Sequence, residues 1–209
     1  DPTGFDIHSN TLARARDCGI YLQGLVESTV HDNHIYGQTS TADATLLKGG
    51  IVTNGVHLVD IYSNNLHDNV FDLAFAQINF KPTREIICNA YDNTCWSGTA
   101  QCVKIVPNAK ASGTQSGIKS TLNLTNNEIR GAIHFRVTSV ADNFELNIKG
   151  GSIKEESIGF FLFNATTPTI VAGMWINISD IDFADLTQDG INITTTYTTT
   201  FIERCKFDM

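Results

Sequence analysis

Charge is scarce in this chain of 209 residues: Lys, Arg, Asp and Glu make up 17% of it, and the balance is acidic, at −8. An acidic balance excludes the electrostatic footprint of a nucleic-acid binder and gives no attraction to an anionic membrane surface. Long apolar runs are also missing. None approaches the roughly 20 residues of a membrane span, so no membrane insertion is expected. The opening Asp1-Pro2-Thr3-Gly4 has neither the basic flank nor the apolar core of a signal peptide and reads as a piece excised from a longer chain. Five cysteines (Cys18, Cys88, Cys95, Cys102, Cys205) are an odd number without paired metal-type spacing, so they read as reduced core thiols. No long stripe of period 3.6 is present, which leaves little room for helices. What the chain does have is Asn and Thr: 18 and 24 of them, 42 residues against 36 charged ones. Together with 42% hydrophobic residues, this predicts one folded domain over 1–209, built of strands and turns.

The Asn residues are not scattered. Asp6-Ile7-His8-Ser9-Asn10-Thr11-Leu12, Thr29-Val30-His31-Asp32-Asn33-His34-Ile35 and Asp60-Ile61-Tyr62-Ser63-Asn64-Asn65-Leu66 share one pattern: apolar, polar, small polar, Asn, any residue, apolar. The same register is read at Ile86 with Asn89 and at Leu124 with Asn127, and weaker copies at Ile148, Ile178 and Ile202. The anchors Ile7, Val30, Ile61, Ile86, Leu124, Ile148, Ile178 and Ile202 are 23, 31, 25, 38, 24, 30 and 24 residues apart, a baseline near 24 with insertions. Further strand-like pieces recur at Ile20, Ile51, Val103, Ile133 and Ile191. The reading is a stack of about eight coils with three short strands each. An Asn at a sharp corner (Asn10, Asn33, Asn64, Asn89, Asn127) would adopt the left-handed backbone and bond to the Asn of the next coil. Gly151 replaces the Asn in the sixth copy, as expected where positive φ is required.

With its Asn corners and 24-residue period, the sequence resembles the right-handed single-stranded parallel β-helix of the pectin-lyase-like superfamily, and within it the phage tailspike and polysaccharide-processing proteins. The resemblance implies a carbohydrate-recognising solenoid that binds, and in some members depolymerises, a bacterial polysaccharide such as capsule or O-antigen. It also implies a homotrimer on a virion tail or otherwise extracellular, and no cofactor. Alternatives on the same fold are a secreted polysaccharide lyase or C5-epimerase and a non-catalytic adhesin or shaft.

Residues at equivalent positions of stacked coils lie about 4.8 Å apart, so outward columns are candidate sites. One column collects Asp6 and His8, Thr29 and His31, Asp60 and Tyr62, then Glu85. Asp60 with Glu85, one coil apart, would suit a retaining carboxylate pair, and Asp6 with Asp60 the wider inverting pair. A second column gathers Tyr21, Asp72, Lys104, His134 and Arg136, which on the resemblance would pair a cation on a sugar carboxylate with a base. Inserts at 36–49, 92–101 and 107–119 would wall the groove, with Trp96 or Tyr21 as a stacking platform.

Other motifs carry less. His31, Asp32 and His34 alternate faces on a strand, so no metal site is expected. The sequons at Asn123, Asn164, Asn177 and Asn192 follow from composition. From residue 158 onward the coils look atypical. Ile158-Gly159-Phe160-Phe161-Leu162-Phe163 is apolar on both strand faces, so 158–209 is expected to need a cover, from its own loop or another subunit.

Overall fold

The computed structural model describes residues 3–24, 26–38, 48–78, 84–109, 119–137, 143–155, 158–164, 174–193 and 199–208. Among these, every regular element is a strand, with no helix. The first sheet has eight strands: β1 (Thr3–His8), β4 (Val26–His31), β7 (Leu58–Tyr62), β10 (Ile86–Tyr91), β12 (Ser120–Thr125), β14 (Phe144–Lys149), β17 (Met174–Ser179) and β20 (Thr199–Glu203), in that spatial order. The second has thirteen. Its main path is β2 (Thr11–Ala13), β5 (His34–Tyr36), β8 (Asn65–His67), β11 (Thr94–Ala109), β13 (Glu128–Val137), β15 (Ser152–Lys154), β18 (Asp182–Ala184) and β21 (Lys206–Asp208). At β11 and β13 it forks into a side path of β3 (Cys18–Gln23), β6 (Gly49–Asn54), β9 (Leu73–Ile78), β16 (Ile158–Asn164) and β19 (Asp189–Ile193). Neighbouring strands in both sheets run parallel, as in the pairings of β1 with β4 and β2 with β5. This order is consistent with a parallel β-helix-like solenoid.

The alternation of the strands explains the interior. In the first sheet Val30, Ile61, Ala90, Leu124, Ile148 and Ile178 stand in one register column and are buried. In the second, Ile35, Leu66, Cys95, Ile129, Ile153 and Phe183 form a matching column. Ile20, Ile51, Leu73, Val103, Ile133 and Phe160 do the same along the side path. All three sets belong to one apolar cluster. A buried Leu or Ile contributes about 1.5–3 kcal/mol, so each set of strands is held chiefly by the apolar residues it turns inward. The five cysteines are free thiols, with Cys88, Cys95 and Cys102 buried.

Two expectations need correction. The fourth anchor is Ala90, not Ile86, because Ala90 pairs with Ile61 and Leu124. The expected loop at 92–101 is largely strand: β11 begins at Thr94, and its register against β13 shifts between Trp96 and Gln101. The loop expectations at 39–47, 110–118 and 165–173, and the side chains of Phe161 to Phe163 with the proposed cover over them, lie outside the described residues.

Candidate functional site

The corner between the two sheets is built from the residues the repeat points to, with a different division of labour. The left-handed residue is the one before the Asn: Ser9 (φ 57°), Asp32 (52°), Ser63 (53°), Asp92 (54°) and Asn126 (53°). The Asn that follows does something else. Asn33 Nδ2 reaches the carbonyls of His31 (2.8 Å) and Ile7 (2.9 Å), and its Oδ1 accepts from the Asn10 backbone N–H and side-chain amide. Asn64 repeats this one level on, reaching the Tyr62 and Val30 carbonyls. Asn93 does so again, reaching the Tyr91 and Ile61 carbonyls and passing the ladder to Asn127 at 3.0 Å. The corner ladder is therefore Asn10, Asn33, Asn64, Asn93 and Asn127, exposed at Asn10 and buried from Asn33 onward. Asn89 is not a member. Gly151 follows Asn127 in register, at φ 82°, and a Cβ there would meet the Asn127 carbonyl oxygen at 2.2 Å.

Asn89 sits instead on the outer face of the first sheet, in a second ladder that the repeat pattern does not single out. Its amide donates to Asp60 Oδ1 (2.8 Å) and accepts from Asn123 (2.7 Å); Asn147 and Asn177 continue the chain at 2.9 and 2.6 Å. At the other end Thr29 donates to Asp6 (2.7 Å). The register column is Asp6, Thr29, Asp60, Asn89, Asn123, Asn147 and Asn177. Glu85 lies before β10 and does not face Asp60, since Asn89 fills that place. The retaining pair drawn from Asp60 and Glu85 is thereby removed. Asp6 and Asp60 share the column two strands apart, with Thr29 between them.

Beside this column runs a stack of rings. His8 and His31 lie 5.0 Å apart, His31 and Tyr62 4.7 Å, Tyr62 and Tyr91 5.0 Å, all within 8° of parallel. His31 is bracketed by carboxylates, with Nδ1 2.7 Å from Asp32 and Nε2 3.0 Å from Asp6. The bond to Asp32, reinforced by Asp6, holds the His31 pKa above the usual histidine value. The Thr29 hydroxyl, with His31 and His8, holds Asp6 below the usual carboxylate range. Past Tyr91 the face opens into a groove of about 360 Å³ lined by Asn89, Tyr91, Asp92, Asn123, Thr125 and Asn126.

The second candidate column comes apart. Lys104 and His134 are register neighbours, with Nζ 2.6 Å from Nδ1, and both are nearly buried. Burial, and then Arg136, push Lys104 down to about 8; burial with Lys104 and Arg136 pushes His134 down to about 3. The residue beside Lys104 on the third strand is Ala74, not Asp72. Asp72 is fully buried, its Oδ1 2.8 Å from Asn69 Nδ2, and burial pushes its carboxyl up to about 7. Tyr21 is exposed, in the same register column as Val52, and accepts from the Asn54 amide at 3.2 Å. Trp96 is exposed on a different column, that of Tyr36, His67, Arg130 and Lys154, with the Arg130 guanidinium 5.9 Å from its ring centre. Inside the fold, a pocket of about 30 Å³ bounded by Val56, Phe75, Ile105 and Phe144 has room for roughly one water.

No protein family matches this chain, and no curated protein or solved structure does either.

Proposed function

We propose that the chain is a right-handed, single-stranded parallel β-helix of about eight coils that binds an extended bacterial surface polysaccharide along the outer face of the first sheet. The observation that carries this reading is the open groove beside the outer Asn ladder. In that ladder Asn89 and Asn123 each spend one N–H and one lone pair on their neighbours, which leaves one donor and one acceptor for a ligand. Paired donors and acceptors at strand spacing suit the vicinal hydroxyls of a sugar chain, and the Tyr91 hydroxyl and Asp92 carboxylate extend the set. The groove lining holds a carboxylate and no cation, so the sugars it takes are neutral ones.

Binding is favoured over cleavage on this face. A hydrolase needs one carboxylic acid kept protonated, whereas Asp6 is held in its ionised form and the carboxyl pushed upward, Asp72, is interior. The tailspike-like setting, the homotrimer and the extracellular or virion location remain parts of the proposal that rest on the family resemblance. The lyase or epimerase alternative loses support with the separation of Asp72 from Lys104 and His134.

Titration calorimetry against a panel of capsular and O-antigen polysaccharides tests the reading. A neutral glycan is expected to bind, with Asn123→Ala and Tyr91→Ala each weakening it at least tenfold and no reducing ends released. Binding untouched by both substitutions, or no binding to any neutral glycan, overturns it.

A further inference from the structure

We propose that Trp175, Asn177 and Phe201 form a second sugar subsite on the outer face of the first sheet, one that takes the apolar face of a neutral pyranose; this rests on the polysaccharide binding proposed for that face and extends it toward the C-terminal strands. Trp175 and Asn177 stand two residues apart on β17 and so share the outward face, and Phe201 is the register partner of Asn177 on β20. An amide therefore sits at the corner between two rings at diagonal positions, about 7–8 Å apart along the backbone surface. Both rings are exposed, Trp175 by 40% and Phe201 by 58%. The rings nearer the N-terminus of this face are spent on one another, since His8, His31, Tyr62 and Tyr91 lie face to face. Among the described residues neither Trp175 nor Phe201 stacks on another ring. The outer Asn ladder also ends here. Asn177 donates to Asn147 Oδ1 at 2.6 Å, and Phe201 fills the register place from which another Asn would donate back. Asn177 thus keeps its Oδ1 and one N–H for a ligand.

Sugar recognition asks for this mixture. The C–H groups on one face of a pyranose carry slight positive charge and rest on the negative face of an aromatic ring, while the hydroxyls at the ring's edge need a donor and an acceptor beside it. The charges around the subsite are matched. Lys119 pairs with Glu145, the register neighbour of Trp175, while Arg204 pairs with Asp180 at 2.6 Å and with Glu203 at 2.8 Å. Lys149 adds to the positive field on Asp180. No excess of cation is present to draw a carboxylated sugar, which favours a neutral one. From Asn89 on β10 to Phe201 on β20 there are four strand steps, through β12, β14 and β17, or about 19 Å. The groove at Asn89 and Asn123 and the ring pair are therefore separate subsites on one line, and only a glycan long enough to cross β14 engages both.

Fluorescence tests this directly. The chain has two tryptophans, and Trp96 belongs to the second sheet, so a Trp96→Phe chain reports on Trp175 alone. The probes are neutral O-antigen polysaccharides and their partial-hydrolysis fragments of graded length, with calorimetry read alongside. Long fragments are expected to shift the Trp175 emission to shorter wavelength as the indole loses water. Trp175→Ala and Phe201→Ala should each weaken long fragments by roughly tenfold and leave the shortest binding fragments unaffected. Trp175→Phe, which keeps a stacking face, should restore most of the affinity. Both side chains are exposed, so the substitutions spare the fold. Long fragments that bind without changing Trp175 emission, or with affinity untouched by both alanine variants, overturn the subsite and leave the groove standing. Absence of binding by every neutral glycan overturns both.

Discussion

Replacing Asn93 by Ala should destabilise the fold far more than replacing Asn89, although the two lie four residues apart in the same strand and turn. Asn93 is 1% exposed. Its Oδ1 is the acceptor for the Asn64 backbone N–H and side-chain amide at 3.0 Å, and its amide reaches the carbonyls of Ile61 and Tyr91 and the Asn127 Oδ1. Truncation strands the buried Asn64 N–H, at about 1–3 kcal/mol, and forfeits further bonds at about 0.5–1.5 kcal/mol each. Water entering the vacated space offsets part of this, leaving roughly 2–4 kcal/mol. For a chain of this size that is a fall of roughly 5–15 °C in the thermal midpoint. Asn89 is half-buried on the outer face, where solvent replaces its bonds to Asp60 and Asn123, so its loss should cost about 0.5–1 kcal/mol. Thermal melts of both variants followed by circular dichroism check this. An Asn89→Ala midpoint as low as that of Asn93→Ala would refute the assignment of the load-carrying ladder.

Two pH predictions accompany it. The pKa of Asp72 is raised on folding to about 7, so between about pH 4 and 7 the unfolded chain releases this proton while the folded chain keeps it. The fold then loses stability as pH rises, by about 1.4 kcal/mol per unit and roughly 4 kcal/mol over the window. Urea midpoints of Asp72→Asn should lack that share of the decline, and an unchanged slope would show that the buried carboxyl is not its source. On the first sheet, His31 should titrate above an ordinary histidine by NMR. Asp32→Asn should lower its midpoint more than Asp6→Asn, because the bond to Asp32 is the larger cause; the reverse order would contradict the bracket of carboxylates.

The all-β, parallel character of the chain is legible in its turns, because the pattern apolar, polar, small polar, Asn marks the first five passages from the first sheet to the second. The slip at the fourth copy has a plain cause. Ile86 and Ala90 both face inward at period two, and Asn89 and Asn93 are both Asn, so apolarity alone favours the larger residue. Ala90-Tyr91-Asp92-Asn93-Thr94-Cys95 in fact fits the pattern, once Ala and Cys are admitted as core residues. The left-handed position falls one residue before the ladder Asn because Ser, Asp and Asn precede it in the first five copies, and those types also tolerate positive φ. Along the side path no such punctuation exists. Where Asp72 falls relative to Lys104 depends on chain lengths between corners, which carry no pattern, and a one-residue change in register turns a side chain from outside to inside.

The two Asn ladders also have a direction. In the corner one each side-chain amide donates toward the C-terminal neighbour, Asn10 to Asn33 and Asn33 to Asn64. In the outer one each donates toward the N-terminal neighbour, ending on Asp60, a carboxylate that can only accept. Electrically these are two antiparallel lines of dipoles a few residues apart on one strand and its corner, and their fields oppose each other along the stack. Where the two overlap, from Asn64 to Asn127 in one and from Asp60 to Asn123 in the other, the paired strands gain the mutual polarisation of hydrogen-bonded chains while the two lines of dipoles offset each other. Reversing the outer line, as a Lys at position 60 would by demanding acceptors, would leave the two sets of dipoles aligned over that stretch.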